Sequence, residues 1–177
     1  MNTKQRIVLT GGPGTGKTTL IWALAQKGFS CMHEISREII KEQVARGSDI
    51  VPWQNLQAFS ERVFAGRKMQ FDEAAQGLNF YDRSFIDTVA YMKKDALPIP
   101  EMWQNDIEQL RFSNPVFISP PWRKIFGNDH ERRETWEQLQ QIHTWLVTAY
   151  KEAGYQVVEL PKTTVEARMA FILDRVL

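Results

Sequence analysis

Hydrophobic positions fall into two rhythms along this chain. Short apolar runs alternate with longer stretches in which apolar residues sit three and four apart. The first run, Arg6 to Thr10, is rich in β-branched residues and reads as a strand. Lys17 to Lys27 reads as a helix closed by Gly28, and Phe29 to His33 as a second strand. A helix over Ser36 to Arg46 stops at Gly47. A longer one is expected from Trp53 to Gln76, with Leu56, Phe59, Val63 and Phe64 on one side and Gly77 at its end. Leu78 to Tyr81 is the third strand, followed by a helix over Ser84 to Lys94 with Ser84 and Asp87 as a capping box. Pro98 and Pro100 precede a short helix over Glu101 to Arg111, and Val116 to Ser119 is a fourth strand stopped by Pro120-Pro121. Trp136, Leu139, Ile142, Leu146 and Ala149 mark a helix over Arg132 to Ala153. Gln156 to Leu160 is the fifth strand. The last helix is expected to start at Thr163 as N-cap, with Glu166 completing a capping box.

Strands alternating with helices predict an α/β fold, a parallel sheet covered on both faces. The longest stretch without an element is Pro120 to Glu131, and a loop of that length in a compact domain is usually functional.

Composition narrows the class. At 177 residues, 43% hydrophobic and 24% charged, residues 1–177 read as one globular domain rather than a disordered or collagen-like chain. A net charge of +1 excludes a global basic field for gripping duplex nucleic acid. No apolar stretch approaches the ~18 residues of a membrane span, so no membrane partner is expected. Cys31 is the single cysteine and has no intrachain partner for a disulfide. A reducing, cytoplasmic location is expected.

The glycines carry the chemistry. Gly11-Gly12-Pro13-Gly14-Thr15-Gly16-Lys17-Thr18 fits G-x-x-x-x-G-K-[ST], placed between a strand and a helix as that phosphate-binding loop requires. Glycine lets the backbone bring its N–H groups close to a polyphosphate, and the following helix points its positive end at the same anion. Lys17 is assigned to the β- and γ-phosphates, Thr18 to Mg²⁺, and Thr19 to the same helix start.

Acidic residues at strand ends come next, because ligands of open α/β sheets sit beyond the carboxyl ends of the strands. Asp82 ends the third strand and is read as a second Mg²⁺ holder; the competing role is to start the next helix. Glu34 follows the second strand. It is either the general base for an acceptor hydroxyl or attacking water, or an ordinary glutamate near a helix start. Arg83 and Arg37 follow these acids and are candidates to clamp a phosphate or the acceptor. The 120–133 segment is read as a lid, with Arg132 and Arg133 to neutralise charge on a transferring phosphoryl group. Trp122 and Phe126 either stack on a base or pack the loop down. Most of the six tryptophans are expected in packing positions.

With these residues in order, the chain resembles the small P-loop kinase-like ATPases of the AAA type, relatives of nicotinamide-riboside kinase and of nucleoside and nucleotide kinases. Asp82-Arg83 followed by Asp87 and Tyr91 is similar to that group's strand-end pattern. Asp129, Arg132 and Glu134 resemble its lid-side stretch, and Val158, Leu160 and Pro161 its closing strand. The resemblance implies a five-stranded parallel sheet with order 2-3-1-4-5 and an acceptor site under the helices between Ser36 and Gln76. It implies Arg37, Arg83 and Asp87 as acceptor-side residues, and ATP with Mg²⁺ as cofactors. The expected activity is transfer of the γ-phosphoryl group of ATP to a small molecule, with nucleosides and nucleotides as candidate acceptors. The alternatives are an NTPase with water as acceptor, or a slow nucleotide-dependent switch that binds a protein.

Overall fold

The computed structural model describes residues 3–126 and 134–177. Among them, strands β1 (Lys4–Thr10), β2 (Ser30–Met32), β3 (Gly77–Asp82), β4 (Val116–Ile118) and β5 (Val157–Glu159) form one sheet. Every pairing is parallel, and the order is β2-β3-β1-β4-β5, as the resemblance implied. The helices are α1 (Lys17–Gln26), α2 (Ser36–Ala45), α3 (Leu56–Asp72), α4 (Phe85–Lys94), α5 (Glu101–Gln109), α6 (Trp136–Glu152) and α7 (Val165–Val176). None is long and apolar enough to cross a membrane.

The two-residue alternation of the central strands divides the core. Ile7, Leu9, Phe80 and Phe117 point to one face and pack with Leu20, Ile21 and Leu24 of α1 and Ile172 of α7. Val8, Tyr81, Val116 and Ile118 point to the other face, against residues of α3, α4, α5 and α6. Both layers are apolar, so the central strands read as nearly continuous hydrophobic runs.

Several boundaries differ from expectation, each for a local reason. The third helix is shorter than Trp53 to Gln76. The Asn55 side chain caps it by accepting from the Ala58 N–H at 3.1 Å. At the far end, the Asn79 side chain bonds both the N–H and the C=O of Ala75, which draws the chain off the helix. The last helix is capped by Thr164, not Thr163; its side chain accepts from the Ala167 N–H. The Ser84–Asp87 capping box forms as expected. A further box, Thr135 with Gln138, opens α6. The tryptophans divide. Trp103 is buried and stacked on Phe64 at 3.9 Å, whereas Trp22, Trp53 and Trp145 are 56%, 51% and 38% exposed.

The order of strands positions the site. Leu9 of β1 is in register with Asp82 of β3 and with Phe117 of β4, so the carboxyl ends of the central strands finish together. The loop after β1 and the acid ending β3 are therefore brought side by side by backbone pairing alone.

The stacked pair Phe64 and Trp103 ties α3 to α5 in the larger core layer. Phe64→Ala should cost about 3–5 kcal/mol and lower the melting temperature by roughly 6–20 °C, read by calorimetry.

Candidate active site

The loop after β1 closes on itself. Thr15 Oγ1 donates to the Gly12 carbonyl at 2.9 Å, and Lys17 Nζ donates to the same oxygen at 2.8 Å. The backbone shows why glycine is used here. Gly11 has φ +138°, and a Cβ there would stand 2.5 Å from the Ser119 carbonyl oxygen. Gly16 is the N-cap of α1 in the left-handed region, with φ +80°. No acidic residue of α1 itself occupies its first turn. Pro13 to Thr19 face a cleft of about 620 Å³. Gly11 and Gly12 sit behind it, buried.

Lys17 is almost fully buried. Burial, helped by the nearby Arg83 charge, brings its pKa down from 10.5 to about 7, against the pull of Asp82, Glu34 and Asp87.

Across the cleft, Thr18 Oγ1 donates to Asp82 Oδ2 at 3.1 Å. Asp82 Oδ1 is buried and has no partner among the described residues, and burial raises this carboxyl above its ordinary range. A hydroxyl beside a carboxylate with one oxygen left over is a hard-oxygen donor set, which suits Mg²⁺. The remaining ligands of that ion ordinarily come from phosphate and water. Among the described residues no group of three His, Cys, Asp or Glu side chains is placed to hold a metal.

Glu34, after β2, sits between two arginines. Arg67 Nη2 lies 2.6 Å from Oε1, and Arg83 Nε pairs with Oε2. The Ser36 backbone N–H also donates to Oε1, at 3.2 Å. Burial pushes this carboxyl up, but Arg67, Arg83 and the Ser36 contact outweigh it and hold the pKa at about 2. Glu34 is therefore ionised across the neutral range.

Arg83 reaches Glu34 because its backbone turns sharply. It is a non-glycine residue at φ +76°, fixed by its N–H bond to the Leu9 carbonyl at 3.0 Å. Such a conformation costs energy and is held by the contacts it makes.

Asp87, expected on the acceptor side, lines the cleft but is engaged by the protein at both oxygens. Thr10 and Arg83 donate to Oδ1 at 2.5 and 3.3 Å, and Tyr150 and the Ser84 N–H donate to Oδ2 at 2.5 and 2.9 Å. It thereby joins β1, α4 and α6. Arg37 also lines the cleft.

α2, α3 and the segment between them give the cleft a mixed lining. Ile40, Pro52, Trp53, Leu56, Phe59 and Val63 supply its apolar part, and Ser36, Arg37, Lys41, Ser60 and Arg67 its polar part. Tyr91 and Glu134 line the cleft as well.

Arg132 and Arg133 lie outside the described residues, as does all the rest of 127–133 in the expected lid. The described beginning of that segment turns back on itself through the Trp122 carbonyl, which accepts from Ile125 and Phe126. Phe126 packs edge-on against Trp136, and Arg123 lies over the same ring at 4.8 Å. The Phe126 ring is thus engaged in holding the segment to α6.

Arg67, Tyr150 and Arg168 are buried at the site and were not singled out by motif. Arg67 does carry a signal: it continues the stripe of Phe59, Val63 and Phe64 as a charged residue on an apolar face, which calls for a buried partner. Besides Glu34, it donates to the Asp82 carbonyl at 3.2 Å. Tyr150 similarly lies four residues after Leu146 on the buried face of α6.

The fold is shared with solved structures. Deoxyadenosine kinase from M. mycoides with bound dATP superposes with a TM-score of 0.69 at 14% identity, covering 97% of this chain and 98% of that one. NadR protein in complex with NR gives 0.67 at 22% identity, over 98% of this chain and 51% of that one. Thymidylate kinase from Ehrlichia chaffeensis gives 0.65 at 12% identity, over 98% of both. No curated protein matches the chain. A family model described as AAA domain matches residues 6–168, a span that runs from β1 through every element lining the cleft, and the chain therefore belongs to the AAA domain family.

Proposed function

We propose that the protein is an ATP-dependent phosphotransferase that acts on a small molecule, a nucleoside or nucleotide being the acceptor class best matched by the solved neighbours. The observation that carries this reading is the two-part cleft. A phosphate-binding loop lines one part of it, α2 and α3 line another with an apolar group (Ile40, Leu56, Phe59, Val63) beside polar side chains, and Glu34, Asp82 and Asp87 line it as well. A hydrolase whose acceptor is water has no need of that apolar group. An acceptor with a body to bury does.

The residues take these roles in the proposal. The amides of Gly14 to Thr18 and the Lys17 ammonium hold the polyphosphate. Thr18 and Asp82 hold Mg²⁺, which when bound draws charge from the phosphate oxygens. Glu34 accepts the hydrogen bond of the acceptor hydroxyl and aligns its oxygen with the phosphoryl group. Its low pKa makes it a weak base. That fits a loose transition state, in which the hydroxyl proton is lost late and positioning dominates. Arg67 and Arg83 hold the Glu34 carboxylate in one orientation. Arg37 and Arg83 face the acceptor, and Asp87 fixes Arg83. Arg132 and Arg133 are proposed to neutralise charge on the transferring group.

Glu34→Gln should lower kcat about 100-fold or more and lower the melting temperature of the free protein, because Arg67 and Arg83 lose their counter-charge, while ATP should still raise that temperature. A screen of nucleosides, nucleotides and other small alcohols with labelled ATP supplies the assay. Phosphate release at the same rate with and without every acceptor would reject the kinase reading.

Lys17 gives a pH signature. With a free-state pKa near 7, it is mostly neutral at pH 8 and must be protonated to hold a polyphosphate. The bound state then takes up about one proton, and the affinity for ATP weakens as pH rises above 7. Calorimetry at pH 8 in buffers of different ionisation enthalpy should read this uptake, and Lys17→Met should abolish it. A binding heat that does not vary with buffer would refute it.

A further inference from the structure

Arg168 stands on α7 behind the phosphate-binding loop, and nothing in the proposed chemistry uses it. It is buried, with only 3% of its surface exposed. Its Nη2 donates to Ser119 Oγ at 2.5 Å, at the carboxyl end of β4. Its Nη1 donates to the Thr15 carbonyl at 3.4 Å. A Cβ at Gly16 would lie 2.9 Å from the same nitrogen, so the guanidinium is packed against the back of the loop. Among the described residues its Nε has no partner and no carboxylate pairs with it. Burial lowers its pKa and no acid offsets that.

A buried cation without a counter-ion costs several kcal/mol. A residue that only strapped α7 to the sheet would do so at less cost with an apolar side chain. The position of the guanidinium indicates what the charge does. The Thr15–Gly16 peptide is trans, so its C=O and N–H point in opposite directions. The oxygen is turned towards Arg168. The Gly16 N–H is therefore turned away from it, and both Thr15 and Gly16 face the cleft. A cation on the carbonyl also polarises the peptide and strengthens its N–H as a donor.

We propose that Arg168 is a positioning residue for the phosphate-binding loop, holding the Thr15–Gly16 peptide with its N–H directed at a bound polyphosphate. Ser119 anchors the guanidinium from the far side. This inference rests on the nucleotide-binding reading above. It adds that polyphosphate affinity is set partly by a residue far along the chain that touches no ligand.

The test compares the full-length wild type, Arg168→Met and Arg168→Lys by calorimetry, with Mg²⁺-ATP and inorganic tripolyphosphate as probes, alongside thermal melts. Arg168→Met should weaken both probes by the same factor, about tenfold, because the loss lies at the phosphates and not at the base. Arg168→Lys should recover part of the affinity. A role confined to packing would lower the melting temperature and leave both dissociation constants within twofold of wild type, which would overturn the proposal. Should Arg168→Met fail to fold, Ser119→Ala removes the anchor and keeps the charge. It should weaken both probes several-fold, and wild-type affinity would again overturn the proposal. If the wild type binds neither probe, the nucleotide-binding reading itself fails and this inference falls with it.

Discussion

The ion pairing of Glu34 with Arg67 and Arg83 is the interaction on which the rest of the cleft depends. Lys17, Glu34, Arg67, Asp82, Arg83 and Asp87 all converge where the central strands end, and each is buried or nearly so. Charges in such a place are tolerated only when paired with good geometry. Each arginine takes one oxygen of Glu34. Arg67 then reaches the Asp82 carbonyl and Arg83 reaches Asp87, so the acid that follows β2 is tied to the end of β3 and the start of α4. Without this pairing, two guanidinium groups would sit buried beside an already unfavourable lysine.

The same crowding explains why the phosphate-binding loop is poised rather than saturated. Lys17 spends two of its three proton donors, on the Gly12 carbonyl and weakly on Thr15, inside its own loop. Among the described residues Asp82 keeps one oxygen without a partner. Both residues hold capacity in reserve in the cleft, while Asp87 holds none. The line between occupied and unoccupied polar groups marks where protein structure ends and ligand chemistry begins.

What was legible in the sequence followed contiguity. The loop from Gly11 to Thr18 is local, so its glycines, lysine and threonine could be read in place, and the strand before it and helix after it supplied the context. Asp82 was legible because a strand's end is visible as the end of an apolar run. The sheet order was not visible in any periodicity; it came from resemblance. Arg67, Tyr150 and Arg168 were missed because each acts on a segment far away in the chain: spacing places Arg67 and Tyr150 on buried helix faces but does not name the partners they reach. Asn79 shows the same limit on a smaller scale: its amide ends α3 from inside the next strand. The Thr164 cap was displaced by one residue because adjacent threonines offer the same side chain and only the backbone decides between them.

Gly12 carries a consequence for how this chain can vary. A Cβ placed there would stand 2.3 Å from Leu139 Cδ1, near the start of α6. The second position of the loop is formally open to any residue in the phosphate-binding pattern. In this protein a side chain there needs the terminal methyl of a buried leucine from a distant part of the chain to swing aside. Positions 12 and 139 are therefore coupled, and among descendants of this chain a larger residue at one should favour an adjustment at the other.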